Sequence, residues 1–169
     1  MKRLVLMVLS AVAILSLTAC SVNQNLPTEC ISDVIQMPDF PVMYIDSEIP
    51  QGATLSLSRD DGRYALFTHP HYEITQEIFS AESWDAAFLH VSGRSAQELR
   101  PFLTDSFPYE AYRCTWVVAG EQETELCQSL IFFDRDFYYA VTVQCLASRA
   151  VEHAEAFSDL LSGTKLCSV

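Results

Sequence analysis

The stretch from Tyr109 to Cys145 constrains the fold more than any other part of the chain. Apolar side chains alternate with polar ones there in three runs, which are separated by charged segments at Gly120–Glu125 and Asp134–Asp136. A period of two residues is typical of strands that bury one face. Because the connections are short, each run returns beside the previous one, and the block predicts a three-stranded antiparallel meander.

A separate β-hairpin is predicted earlier in the chain. Leu55 and Leu57 alternate with hydroxyl-bearing residues, and Asp61-Gly62 follows as a strong signal for a two-residue hairpin turn. The next six residues return as the partner strand. In that register Leu57 faces Leu66, so both apolar side chains lie on the same face.

The segments between the hairpin and the meander give mixed signals. Tyr72–Phe79 alternates weakly and favours a strand, whereas residues 83–92 are compatible with either a helix or a strand. Ser95–Glu98 is a capping box, which predicts the start of a short helix. Leu99, Phe102 and Leu103 follow the capping box, and because Pro101 lies too deep for a clean first turn, the helix is expected to be short, kinked or to start later.

The last long segment has the pattern of an amphipathic helix. From Ser148 to Ser162 the apolar side chains form one stripe, the charged residues and His153 are predicted to look outward, and Gly163 stands where a helix commonly ends. A final helix laid across one face of an antiparallel sheet is an α+β arrangement. We therefore predict an α+β fold in which a hairpin and a three-stranded meander form the sheet and a C-terminal helix packs on one face.

A known fold shows the same order of elements. The segment Phe137–Val143, followed after a short gap by an alanine-rich helix that ends in Leu160–Gly163, resembles the PsbP-like fold. That fold is named for an extrinsic photosystem protein and is shared by many bacterial lipoproteins. The resemblance extends from about Ala53 to Leu166. It implies a small single-domain sandwich and no particular activity, because the fold hosts mainly binding and assembly roles, and it assigns no functional residue.

The N-terminus has the features of an export signal. Lys2 and Arg3 precede an uncharged run from Leu4 to Leu17. As a helix that run would rise about 21 Å, less than the hydrocarbon core of about 30 Å. The last four residues of the segment, Leu17-Thr18-Ala19-Cys20, resemble the lipobox of bacterial lipoproteins. An uncleaved anchor and an ordinary cleaved signal are the alternatives.

The lipobox resemblance implies a location and a division of the chain. In lipoproteins the cysteine receives a diacylglyceryl group and becomes the first residue after cleavage, so Cys20 is the predicted lipidation site. We expect a lipid-anchored protein on the extracytoplasmic face of a bacterial cell membrane, and the sequence does not decide between inner and outer membranes. The predicted segments are a signal peptide at 1–19, a lipidated cysteine and polar linker at 20–29, and one globular domain at 30–169.

The charge of the chain limits its partners. The whole sequence has a formal net charge of −12. Cleavage before Cys20 removes two basic residues and no acidic ones, which gives −14. Such a surface repels polyphosphate, so nucleic acid is excluded as a partner. The predicted partners are the lipid bilayer, through acylated Cys20, and an unidentified protein or small ligand.

Five cysteines remain once the lipobox cysteine is committed to lipid, and disulfides are permitted outside the cytoplasm. Cys30 and Cys167 lie near the two ends of the domain and predict a bridge between them. Strand pairing in the meander would place Cys127 near either Cys114 or Cys145. Burial of these three as small apolar residues is the alternative, and a reactive thiolate is not expected inside a strand.

His69-Pro70-His71, together with Glu73, is the best metal-site candidate in the sequence. Two imidazoles and a carboxylate are suitable ligands for zinc or copper. The spacing matches no diagnostic motif, and a solvent-exposed turn is the alternative. His90 and His153 are expected to be structural or exposed, and no organic cofactor is predicted.

No motif in the sequence points to catalysis. The chain lacks a Gly-x-Ser-x-Gly nucleophile elbow and a Cys-x-x-Cys pair. Carboxylate pairs such as Asp60-Asp61 fall in predicted turns, where aspartate forms local hydrogen bonds. We therefore predict a non-enzymatic binding or scaffolding module. The alternatives are an enzyme whose residues converge only in the fold, and a metal-binding lipoprotein that uses His69 and His71.

Overall fold

Nine strands and three α-helices make up the part of the chain that the structure describes, residues 41–120 and 123–168. The structure is a computed structural model. The strands are β1 (Met43–Asp46), β2 (Thr54–Arg59), β3 (Tyr64–His69), β4 (Tyr72–Phe79), β5 (Phe102–Leu103), β6 (Glu110–Ala119), β7 (Thr124–Asp134), β8 (Phe137–Leu146) and β9 (Lys165–Ser168). The helices are α1 (Trp84–Ser92), α2 (Ala96–Leu99) and α3 (Ala150–Gly163).

Seven of these strands form one antiparallel sheet in the order β2-β3-β4-β8-β7-β6-β5. The predicted meander is confirmed, because β6, β7 and β8 are neighbours in that order. The strand β4 pairs with β8 rather than with its successor in sequence, and this pairing joins the N-terminal hairpins to the meander. A separate two-stranded sheet pairs β1 with β9, so the two ends of the described chain lie side by side.

The predicted hairpin is β2–β3, and its turn is longer than expected. Leu57 lies opposite Leu66, as the sequence predicts. The prediction of a two-residue turn is wrong. The last pair of the ladder is Arg59 with Tyr64, which leaves four residues in the loop. Three consecutive loop residues have positive φ angles of 56°, 53° and 86°, namely Asp60, Asp61 and Gly62. This left-handed run cannot be accommodated by two residues.

Capping residues decide the ambiguous segment in favour of the helix α1. The Ser83 side chain accepts a hydrogen bond from the backbone N–H of Ala86 at 3.2 Å, which satisfies a donor that the first helical turn leaves free. Gly93 then adopts a left-handed conformation with φ of 70° and ends the helix.

The capping box at Ser95 and Glu98 is present and starts the short helix α2. Of the three alternatives the short helix is confirmed, since it ends at Leu99 and does not reach Phe102 and Leu103. Arg100 takes a positive φ of 50° before Pro101, and the chain leaves the helix there. Phe102 and Leu103 instead form β5, the edge strand that pairs with β6.

Helices cover both faces of the seven-stranded sheet. The predicted packing of the C-terminal helix on one face is confirmed, since α3 buries its apolar stripe there in one cluster with Ile74, Phe132 and Tyr139. The helices α1 and α2 cover the opposite face, where Phe88 and Leu99 join a second cluster beneath them. The fold is therefore α+β with three layers.

The described residues lie within one compact unit of the chain, which spans Met37–Val169. The predicted signal peptide, Cys20, the linker and the domain start at Cys30 lie outside the described residues. Within the part that is described, no helix is both long enough and apolar enough to cross a bilayer.

Candidate functional site

The β3–β4 turn and the helix α3 bring three histidines together. His69 ends β3, Pro70 and His71 form the turn, and β4 begins directly afterwards. His153 lies in the first turn of α3, which packs on the same side of the sheet. The sequence prediction that His153 looks outward is wrong, because its ring is half-buried against aromatic side chains.

The three imidazole rings are mutual neighbours. Ring centroids are 5.5 Å apart for His69 and His71, 6.0 Å for His69 and His153, and 5.9 Å for His71 and His153. Tyr72 stacks on the ring of His69 at 4.2 Å and meets the edge of His153 at 5.1 Å. Phe157 contacts both His153, at 5.8 Å, and Tyr72, at 5.2 Å. We call His69, His71 and His153 the histidine cluster.

Two of these rings accept hydrogen bonds through their Nδ1 atoms. The backbone N–H of His71 donates to Nδ1 of His69 at 3.3 Å. The Arg149 guanidinium donates through Nη1 to Nδ1 of His71 at 2.9 Å. Since arginine is only a donor, Nδ1 of His71 is the acceptor of this hydrogen bond. The Nε2 atom of His153 is buried, with no hydrogen-bond partner within the described residues.

A cleft of about 400 Å³ adjoins the cluster. Its wall includes both signs of charge, with Arg149 beside Glu73 and Glu125. Glu125 accepts a hydrogen bond from the Gln144 side chain at 2.7 Å. Side chains alternate along β4, and Tyr72 points to the α3 side, so Glu73 projects from the opposite face of the sheet. The cleft therefore wraps around the end of the sheet.

The predicted metal ligands are thus only partly brought together. His69 and His71 are neighbours, but Glu73 lies on the other face, and His153 takes the third place. As the side chains stand, no group of three or more His, Cys, Asp or Glu residues in ranges 41–120 and 123–168 is arranged to hold a metal ion. The signal that could have identified His153 is its spacing of four residues from Phe157, which places both on one helical face.

His90 lies away from the cluster. Its ring stacks on Phe79 at 4.1 Å, and its Nε2 is 3.2 Å from a carboxylate oxygen of Glu77. About half of its side chain, 49%, is exposed. This arrangement agrees with the expectation of a structural or exposed histidine.

The cysteines of the meander are buried free thiols. Cys114 and Cys127 face the cluster beneath α1 and α2, whereas Cys145 faces α3. Cys127 and Cys145 project from opposite faces of adjacent strands, so they cannot form a bridge without backbone movement. Cys114 and Cys127 share a face but are diagonal neighbours, because Cys127 lies directly opposite Trp116. All three cysteines of the meander are therefore small buried side chains, which is the alternative that the sequence left open.

Cys167 differs from these three in its exposure. It lies in β9 opposite Tyr44, is only half-buried, and places its sulfur 3.9 Å from a carboxylate oxygen of Asp46. Its predicted partner, Cys30, lies outside the described residues. The Cys30–Cys167 bridge therefore stays a prediction.

Comparisons with solved structures identify the class of fold. The chain is similar to LpqN of Mycobacterium tuberculosis, described as involved in cell envelope biogenesis, with 11% identity over 73% of this chain and 83% of that chain and a TM-score of 0.52. It is also similar to CyanoP, the cyanobacterial PsbP of Synechocystis, with 9% identity over 75% of this chain and 93% of that chain and a TM-score of 0.53. A Bacteroides thetaiotaomicron protein matches with 8% identity over 73% of this chain and 45% of that chain, at a TM-score of 0.51.

These similarities confirm the predicted PsbP-like fold. At such low sequence identity they establish the fold alone. No family model matches the sequence, and no curated protein matches it either. Function must therefore be argued from this chain's own residues.

Proposed function

We propose that this protein is a bacterial lipoprotein, anchored by acylated Cys20 on the extracytoplasmic face of a membrane, that binds a partner without catalysing a reaction. The observation that carries the proposal is a PsbP-like α+β domain placed behind the lipobox-like segment Leu17–Cys20. LpqN, which has a similar fold, is involved in cell envelope biogenesis. A role in the envelope is consistent with that neighbour.

The state of the thiols supports a non-enzymatic role. Burial raises the pKa of Cys114 to about 12 and that of Cys127 to about 11. Burial raises the pKa of Cys145 as well. A thiol must ionise to act as a nucleophile, so none of these three is a nucleophile at neutral pH.

The sheet edge favours a protein as the partner. All six residues of β2 are exposed at the edge of the seven-stranded sheet, including Leu55 and Leu57. The strand contains neither proline nor lysine, and its protection is limited to an irregularity in the ladder between Leu55 and Leu57 and the charge of Arg59 at its end. An edge of this kind accepts an additional strand from an extended protein segment. The proposal therefore places partner binding at β2.

The anchor is tested by substituting Cys20→Ala in the full-length chain, with Cys30→Ala as the matched control. Wild type and C30A should both occur in the membrane fraction with the mass of a chain that begins at Cys20 and carries acyl groups. The C20A variant should lose both the acyl mass and cleavage at this site, because no thiol is left to be acylated. Intact-mass spectrometry of each fraction gives the result.

Two results would contradict the proposal. The anchor is refuted if C20A has the same processed, acylated mass as the wild type. The non-enzymatic role is refuted if the purified protein turns over a substrate and one substitution abolishes that turnover while the circular dichroism spectrum and the melting temperature stay unchanged.

A further inference from the structure

We propose that His69, His71 and His153 bind a transition-metal ion of the Zn²⁺ or Cu²⁺ type. This site is independent of the partner-binding role proposed above. It differs from the sequence prediction in its third ligand, because His153 replaces Glu73. Imidazole nitrogen is a preferred ligand for both ions, and three histidines with an open fourth position form a recognised zinc arrangement.

The spacing of the rings supports a shared ion. Imidazole nitrogens lie about 2.0–2.1 Å from zinc, so three rings around one tetrahedral ion hold their centroids roughly 5 Å apart. The three observed separations are 5.5, 5.9 and 6.0 Å. The centroid spacing is therefore close to that required by one ion, and the rings must turn for their nitrogen atoms to converge on it.

Two of the three rings are already held by their neighbours. The ring of His69 is stacked on Tyr72, and the ring of His153 packs against both Tyr72 and Phe157, which also contact each other. The buried Nε2 of His153, which has no hydrogen-bond partner within the described part of the chain, would gain one in the metal. His71 is exposed on the turn and is the ring that is free to reorient.

Arg149 is hydrogen-bonded to His71, one of the three proposed ligands. A neutral imidazole has one lone pair, and that of His71 accepts the hydrogen bond from Arg149 at 2.9 Å. Ligation through Nδ1 would use that lone pair directly, and ligation through Nε2 would move the proton to Nδ1. Either mode breaks the bond to Arg149, so metal and arginine compete for His71.

The charges around the cluster are mixed. The Arg149 guanidinium opposes a cation, while the carboxylates of Glu73 and Glu125 line the adjoining cleft. Glu152 lies 4.0 Å from Arg149 and partly offsets its charge. Removal of Arg149 should therefore raise the affinity for the metal for two reasons: His71 is freed, and a positive charge is removed.

The test is a titration of the purified full-length protein in detergent with Zn²⁺ against a chromogenic chelator, repeated with Cu²⁺ and electron paramagnetic resonance. His71→Ala and His153→Ala should each lower the affinity at least tenfold, since each removes one ligand. Arg149→Ala should raise the affinity. The matched control is His90→Ala, which removes an exposed histidine outside the cluster and should leave the affinity unchanged.

His71 lies in an exposed turn, so its variant keeps the test valid if H153A fails to fold. The proposal is overturned if the wild type binds neither ion at micromolar concentration. It is also overturned if H71A binds as the wild type does, or if H90A weakens binding as much as H71A. Loss of affinity in H71A but not in a folded H153A would refute the three-histidine set.

Discussion

The thiols of Cys114 and Cys127 are 2% and 1% exposed. Burial is the main cause of their pKa values of about 12 and about 11. An unfolded cysteine has a pKa of about 8.5. The folded chain therefore retains protons that the unfolded chain releases, so this contribution to stability is complete below about pH 8.5 and is lost as the pH rises through the folded pKa.

We expect these thiols to resist alkylation in the folded protein. With iodoacetamide at pH 8 under mild reduction, Cys167 should be modified, while the three cysteines of the meander stay unmodified because they are buried and protonated. All should react in urea. Peptide mass spectrometry checks the pattern, and modification of Cys114 at the rate of Cys167 would show that the buried face opens readily.

At the scale of single elements, the ends of the helices carried information that their apolar patterns did not. The segment 83–92 is compatible with helix or strand by periodicity, but Ser83 and Gly93 cap it at both ends. The capping box at Ser95 was a correct signal for α2. It could not show where that helix stops, because Arg100 changes conformation only where the chain turns to pair β5 with β6.

Removing the cap of α1 should weaken the domain measurably. Ser83→Ala deletes the acceptor for the Ala86 N–H and should lower the free energy of unfolding by about 1 kcal/mol. Ser80→Ala is the matched control, since Ser80 is exposed and precedes the helix. Urea denaturation of both variants provides the measurement. Equal stability of S83A and S80A would mean that water replaces the cap without cost.

At the scale of the whole molecule, the pairing of β1 with β9 brings the two ends of the described chain together. Cys167 lies in β9 and is the only half-buried thiol of the described residues. Tyr44, its partner across the ladder, is fourteen positions after Cys30 in the sequence. The Cys30–Cys167 bridge stays a prediction from sequence position.

We expect exported protein to contain a Cys30–Cys167 disulfide. Cys167→Ser should lower the free energy of unfolding by about 2–4 kcal/mol, because the bridge closes a loop of nearly the whole domain and restricts the unfolded chain. A non-reducing peptide map identifies the bond directly. Reducing agent should destabilise the wild type by the same amount and leave C167S unchanged. Recovery of both cysteines as free thiols from oxidised, exported protein would refute the bridge.

The sequence by itself determined the features that depend on local periodicity and on chain order. The meander, the Leu57–Leu66 register and the stripe of α3 were readable because neighbouring residues decide which face of a strand or helix is apolar. The PsbP-like order of elements followed from these features. The lipobox is likewise a local signal, and it remains the basis of the proposed anchor.

Only the tertiary structure decided which distant side chains meet. His153 reaches His69 and His71 because α3 packs across the face to which Tyr72 points, and Glu73 is excluded because its β4 position turns it to the other face. Cys127 and Cys145 are separated for the same reason. Which face a side chain occupies is a local property, but what covers that face is set by elements far away in the sequence.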